Sequence, residues 1–118
     1  MMLDWNEYLQ ELATRIGEIG RTSPEIVRGY RALSDAGQKS NVLDGKIREL
    51  IALAVAVTLR CDGCITTHTS AAIKNGATQA EIVEALGVAI SVNAGAALVY
   101  SARVLDAFHA KQEAAPAV

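Results

Sequence analysis

A chain of 118 residues with a formal net charge of −2 has room for one hydrophobic core and carries no basic field for a nucleic-acid backbone. Apolar residues make up 51% and aromatics only 4%, so Ala, Val, Leu and Ile must fill that core, a mixture that suits closely approaching helices better than sheets. The expectation is an all-α, single domain over residues 1–118, with nucleic acid excluded as a partner.

The first segment repeats apolar residues at helical steps, Leu3, Tyr8, Leu9, Leu12, Ile16 and Ile19, between Glu7, Gln10, Glu11 and Arg15, which predicts an amphipathic helix. Asp4 and Glu7 stand where a secretory signal has basic residues, so no export signal is expected. Ser23-Pro24-Glu25 then supplies an N-cap, a first-turn proline and an early acid, and the second helix is expected to run to about Asp35 before Gly37. Polar residues from Gln38 to Leu43 read as a connection.

Asp44 can cap a third helix, and its continuation from Leu50 to Leu59 is apolar on every face, which predicts burial on every face. A fourth helix is expected from about Cys64, carrying Ile65, His68, Ala71, Ala72 and Ile73, and closed by Asn75-Gly76. Thr78-Gln79-Ala80-Glu81 matches a capping box and opens a fifth helix to about Val92. Gly87 and Asn93-Ala94-Gly95 interrupt the pattern, so a sixth helix is expected from about Ala96, with a frayed tail at residues 113–118. The longest apolar runs, Leu50–Leu59 and Val88–Val92, fall short of the ~20 residues that span a bilayer. A soluble cytoplasmic protein without a membrane partner follows as the expectation. Helices 44–60 and 79–92 carry more apolar surface than one small domain can hide, which predicts a homo-oligomer.

Chemistry concentrates between residues 49 and 68. Cys61-Asp62-Gly63-Cys64 is a Cys-x-x-Cys unit, and thiols at this spacing across a helix start close a disulfide with little backbone movement. In a reducing compartment such a pair is more often catalytic or metal-binding than structural. A position at the helix start favours a Cys64 thiolate, with a pKa below the roughly 8.5 of a free thiol. His68, one turn further on, is placed to take or return a proton. Glu49 is the one acid near the apolar third helix, but along a straight helix it would lie about 18 Å from Cys61. Only a chain that folds back near residues 60–63 brings His68 toward it. Alternatives remain open on the residues alone. Cys61, Cys64, His68 and Glu49 form a conceivable zinc set, both cysteines are small enough for a core, and Glu49 can pair with Lys46 or Arg48 in its own helix.

Glu49, twelve positions on Cys61, three on Cys64 and four on His68 form a pattern similar to that of the AhpD-like alkylhydroperoxidase branch of the carboxymuconolactone decarboxylase family. The resemblance spans roughly residues 40 to 105, including Asp44 through Leu53 and Gly76-Ala77-Thr78 through Glu84-Ala85-Leu86-Gly87. It implies a helical subunit with an antiparallel helix pair around the Cys-x-x-Cys turn, assembled into trimers or hexamers. It also implies a thiol-dependent peroxidase needing no metal, haem or flavin. By resemblance, Cys64 attacks a hydroperoxide, Cys61 resolves the sulfenic acid to a disulfide, Glu49 and His68 move protons, and an external dithiol, of lipoyl type in the best-known members, reduces the disulfide. Two positions depart from the pattern. Asp62-Gly63 replaces a segment that holds a His in well-known members, and Ser91-Val92-Asn93-Ala94-Gly95-Ala96-Ala97 replaces a glycine-rich one. Decarboxylase members lack the cysteine pair, so lactone decarboxylation is the lesser expectation. A dithiol redox partner or sensor, or a zinc-stabilised binding module, is the alternative to peroxidase turnover.

Overall fold

The computed structural model describes residues 1–114 and, among them, five helices and no strand. These are α1 (Trp5–Thr22), α2 (Pro24–Ser40), α3 (Gly45–Leu59), α4 (Asp62–Lys74) and α5 (Gln79–Ala114). The all-α expectation holds; the boundaries differ at three places, each for a local reason.

Helix α2 continues past Gly37 to Ser40 and stops where Asn41 takes a left-handed conformation, φ 47°, its N–H donating to the Gly37 carbonyl. The connection to α3 is correspondingly shorter than Gln38–Leu43. Helix α4 begins at Asp62 rather than Cys64, because Cys61 is its N-cap. The expected fifth and sixth helices are one helix of 36 residues. Asn93 does not break it: its side-chain amide donates to the Ala89 carbonyl one turn back, 2.7 Å, so it serves the helix instead of competing with it. Gly95 sits among good helix formers, and a lone glycine costs only about 1 kcal/mol relative to Ala. Glu113 and Ala114, expected to be frayed, belong to α5, while residues 115–118 of the expected tail lie outside the described residues.

The caps are those the residues dictate. Asp4 accepts from Glu7 N and Asp44 from Ile47 N. Thr78 and Glu81 exchange reciprocal hydrogen bonds of 2.9 and 3.1 Å. Ser23 occupies the N-cap of α2 without a side-chain bond, leaving Pro24 at the first helical position to set the start.

Helices α3 and α4 form the antiparallel pair at the centre, with α5 against α3 and α1 against α4. Arg60, left-handed at φ 53°, ends α3 and turns the chain back on itself within two residues. Ala72, fully buried, and Leu53 and Ala56, each 3% exposed, mark the closest packing. Thr66 is the buried polar residue here, and its hydroxyl donates 3.1 Å to the Trp5 carbonyl, pinning the start of α1 to α4. Gly45 lies so close to the Asn75 side chain that a Cβ there would stand 2.3 Å from its Oδ1. The start of α3 and the end of α4 therefore approach without room for a methyl group.

The radius of gyration is 20.5 Å, against about 13.5 Å for a compact 118-residue domain. Much apolar surface is correspondingly open. Ile51 and Val55 of α3 are half exposed, and Val88, Ile90, Leu98, Val99, Val104 and Leu105 along α5 more so. Burial of the third helix on every face, expected from its composition, is not achieved within one subunit. Nor does the length argument against a membrane span hold once α5 is continuous. By length and composition it is apolar enough to cross a bilayer, a property shared with helices covered by protein.

One polar clamp joins α3 to α5. Lys46 Nζ lies 2.7 Å from Glu81 Oε2. The Lys46 ammonium, then the Thr78 amide, hold the Glu81 carboxyl down at about 2, and Glu81 raises Lys46 above its ordinary 10.5. A carboxyl whose folded pKa is depressed stabilises the fold above the ordinary carboxylate range, and that contribution is lost as pH falls from about 4.5 toward 2. The lysine contribution is lost only as pH rises past 10.5. Both side chains are about one-third exposed, so solvent screens the pair and the effect is modest. Urea unfolding of wild type and Glu81→Gln at pH 7 and pH 3 checks this: the wild type is expected to be the more stable at pH 7, and the gap to narrow at pH 3.

Candidate active site

The turn between α3 and α4 carries both cysteines. Cys61 and Cys64 are joined as a disulfide, with Cα atoms 5.2 Å apart, a separation ordinary for such a bond. Cys61 Sγ also occupies the place of a cap acceptor, receiving the Cys64 N–H at 3.1 Å. From the sequence Cys64 was the sulfur expected at the helix start; the structure gives that position to Cys61, because α4 begins two residues earlier. When the disulfide opens, this N–H and the positive end of α4 stabilise negative charge on Cys61 Sγ. Gly63 between them faces α1. A Cβ on Gly63 would stand 2.8 Å from Leu12 Cδ2, so the turn is seated on that leucine.

The fold-back brings Glu49 and His68 together within one subunit. Glu49 Oε2 and His68 Nδ1 are 2.6 Å apart, across nineteen positions of sequence and between α3 and α4. Both are half-buried, the carboxylate 20% and the imidazole 31% exposed, which keeps the pair partly out of water while leaving the ring reachable. Glu49 therefore does not spend its carboxylate on Lys46 or Arg48; Lys46 pairs with Glu81, and Arg48 reaches back to the Leu43 carbonyl and Asn41. The hydrogen bond at Nδ1 fixes the orientation of the ring and turns Nε2 away from Glu49. Along α4, His68 follows Cys64 by one turn, about 6 Å of rise on the same face. Among the described residues, no group of three or more His, Cys, Asp or Glu side chains is arranged to hold a metal ion.

Sequence reasoning named all four of these residues but missed their supports. Thr66 anchors α4 to the backbone of α1, Leu12 backs the cysteine turn, and the Gly45–Asn75 contact sets the spacing of the α3–α4 pair at the end opposite that turn. The last of these carries a signal that could have been read, a glycine at a helix start paired with an asparagine at a helix end.

An all-helical protein with a dithiol turn and a carboxylate–imidazole pair on the same two helices is the class that fold and site define together. Residues 24–107 match the model of the carboxymuconolactone decarboxylase family, and the chain belongs to that family. It is 47% identical over 108 residues to an uncharacterized protein of Haemophilus influenzae, covering 92% of this chain and 96% of that one. Its fold is similar to the crystal structure of the apo form of a carboxymuconolactone decarboxylase family protein from Legionella pneumophila. The TM-score is 0.71 and the identity 35%, over 89% of this chain and 94% of that one. A protein of Methanobacterium thermoautotrophicum is similar at TM-score 0.66 and 28% identity, over 71% of this chain and 94% of that one.

Proposed function

We propose that this protein is a thiol-dependent peroxidase of the AhpD-like kind, reducing hydroperoxides through Cys61 and Cys64 in the cytoplasm. The observation that carries the reading is the Glu49–His68 hydrogen bond on the helix pair that also presents the cysteines. The pair supports this reading because cleavage of the O–O bond leaves an alkoxide that needs a proton, and His68 lies one turn from Cys64 to return it.

The cycle uses residues as follows. The His68 imidazole takes the Cys64 thiol proton, the resulting thiolate attacks the terminal oxygen of a hydroperoxide, the O–O bond breaks, and the alkoxide leaves as the alcohol with that same proton returned from His68. Cys64 is then a sulfenic acid. The Cys61 thiol gives up its proton and its sulfur attacks that of the sulfenic acid, the departing hydroxide takes a proton and leaves as water, and the disulfide forms. Two electrons have passed from the two thiols to the peroxide. An external dithiol, of lipoyl type or similar, returns them and is itself oxidised to a disulfide. Its thiolate attacks Cys64 Sγ, because the departing Cys61 Sγ takes its charge onto the Cys64 N–H. Glu49 holds the imidazole in one tautomer and offsets its positive charge when it carries two hydrogens.

The exposed apolar residues of α3 and α5 are covered, in this reading, by further copies of the chain in a trimer or hexamer and not by a bilayer. Light scattering in plain buffer checks this, with a mass at a small multiple of the 12.5 kDa subunit as the expected result. A chain that stays in solution only with detergent contradicts it.

The test of function is titration of the reduced protein with one equivalent of a hydroperoxide. Loss of both thiols, with an intact mass lower by about two hydrogens, is the expected result. Thiols that resist peroxide but exchange readily with a small dithiol make the protein a redox partner instead. A lactone decarboxylase activity that survives Cys61→Ser and Cys64→Ser together places it with the decarboxylase members.

A further inference from the structure

Beside the cysteine turn lies a groove of about 560 Å³ between α1 and α2, lined also by Thr67 of α4. Its floor is apolar, with Leu9, Leu12 and Ile16 from α1 facing Val27 of α2. Gly20 lies where the two helices come close, a Cβ there standing 3.4 Å from Val27. The rim is cationic. Arg21, Arg28 and Arg31 all line the groove, and Arg21 folds back over α1, its Nη1 3.4 Å from where a Cβ of Gly17 would be.

Arg28 is neutralised by Glu25 at 2.7 Å, whereas Arg21 and Arg31 have no carboxylate within 4 Å among the described residues. Two unpaired guanidinium groups at the edge of an apolar trough match one chemical class, an apolar chain ending in a carboxylate. The chain occupies the Leu and Ile floor, and the carboxylate takes charge-assisted hydrogen bonds from the arginines. Leu12 lines the trough and also seats Gly63 of the cysteine turn. From Arg21 to Leu12 along α1 is about 13 Å, the span of a medium-length acyl chain.

We infer that the α1–α2 groove binds medium-chain monocarboxylates by Arg21 and Arg31, and that it directs carboxylated alkyl hydroperoxides toward Cys64. The second part rests on the peroxidase reading; the first does not.

Calorimetric titration of the full-length protein with decanoate, beside decanol of the same chain length, separates the two. Decanoate is expected to bind at least about tenfold more tightly than decanol. The double variant Arg21→Met, Arg31→Met keeps the apolar stems of two exposed residues, and is expected to lose the preference while unfolding at the same urea concentration as wild type. Equal binding of acid and alcohol, a preference that survives in the double variant, or no decanoate binding because a second copy of the chain covers the groove each overturns the inference. In peroxide turnover, 10-hydroperoxydecanoate is expected to exceed its methyl ester in kcat/KM by about tenfold in wild type and to match it in the double variant. Equal kcat/KM in wild type overturns the directing role. If neither peroxide reacts at Cys64, the peroxidase reading fails, and the calorimetry alone decides the carboxylate site.

Discussion

Replacing Cys64 by serine is expected to abolish peroxide turnover, whereas Cys61→Ser is expected to permit one equivalent of reaction and then stop. The asymmetry follows from what each sulfur does. A serine hydroxyl at position 64 forms no sulfenic acid for Cys61 to resolve, so the dithiol cycle cannot run. With serine at position 61 the attack on peroxide proceeds, but the sulfenic acid at Cys64 finds no second sulfur. Mass spectrometry of that variant is expected to show a gain of one oxygen, trapped by a dimedone-type reagent, in a single stoichiometric burst. The reductive half of the cycle gives an independent check. A monothiol added to the oxidised wild type forms its mixed disulfide on Cys64, since Cys61 Sγ is the sulfur that leaves onto the Cys64 N–H. A burst in Cys64→Ser with none in Cys61→Ser reverses the assignment of the two sulfurs while leaving the dithiol cycle intact.

Local signals in the sequence were legible because local chemistry decides them. Asp44, Thr78 with Glu81, and Gly76 mark helix ends through bonds that span three or four residues, and each is found where the pattern places it. The dithiol spacing was legible for the same reason, a disulfide closing over three positions. Where the reading of boundaries failed, a residue with two uses took the other one. Asn93 can stop a helix or back-bond within it, and in α5 the alanines, valines and leucines on both sides make continuation the cheaper outcome. Cys61 can follow a helix or cap the next, and the left-handed Arg60 turns it into the cap of α4.

The meeting of Glu49 with His68 was not contained in spacing at all. It depends on the reversal at Arg60, on Gly45 admitting Asn75, and on Ala72 and Ala56 being small enough for α3 and α4 to close. These are packing relations between residues far apart in the chain. Nor does composition reveal which face of α5 is covered within the subunit. The helix is apolar nearly all round, so its pattern has no polar stripe to mark the side that packs on α3.

Breaking the pair itself has the second large effect. Glu49→Gln and His68→Gln are each expected to slow the first-order loss of thiols after peroxide addition by roughly a hundredfold, the usual worth of a positioned acid or base. The double variant is expected to be no slower than His68→Gln alone, because an imidazole held by nothing and a carboxylate holding nothing lose the same step. Stopped-flow measurement on fully reduced protein isolates this step from the reductant. Structure limits the side effects. Glu49 and His68 tie α3 to α4 by one half-buried hydrogen bond, so each single change is expected to cost only about 1–2 kcal/mol in urea unfolding. A loss of folding on that scale leaves the protein intact at neutral pH, and a rate loss of two orders must then come from chemistry. Partial recovery of His68→Gly by added imidazole is the further expected result, since the free base can lie against Glu49 where the side chain was. Rates in the single variants within twofold of wild type contradict a proton-moving role and leave the pair as a tie between two helices.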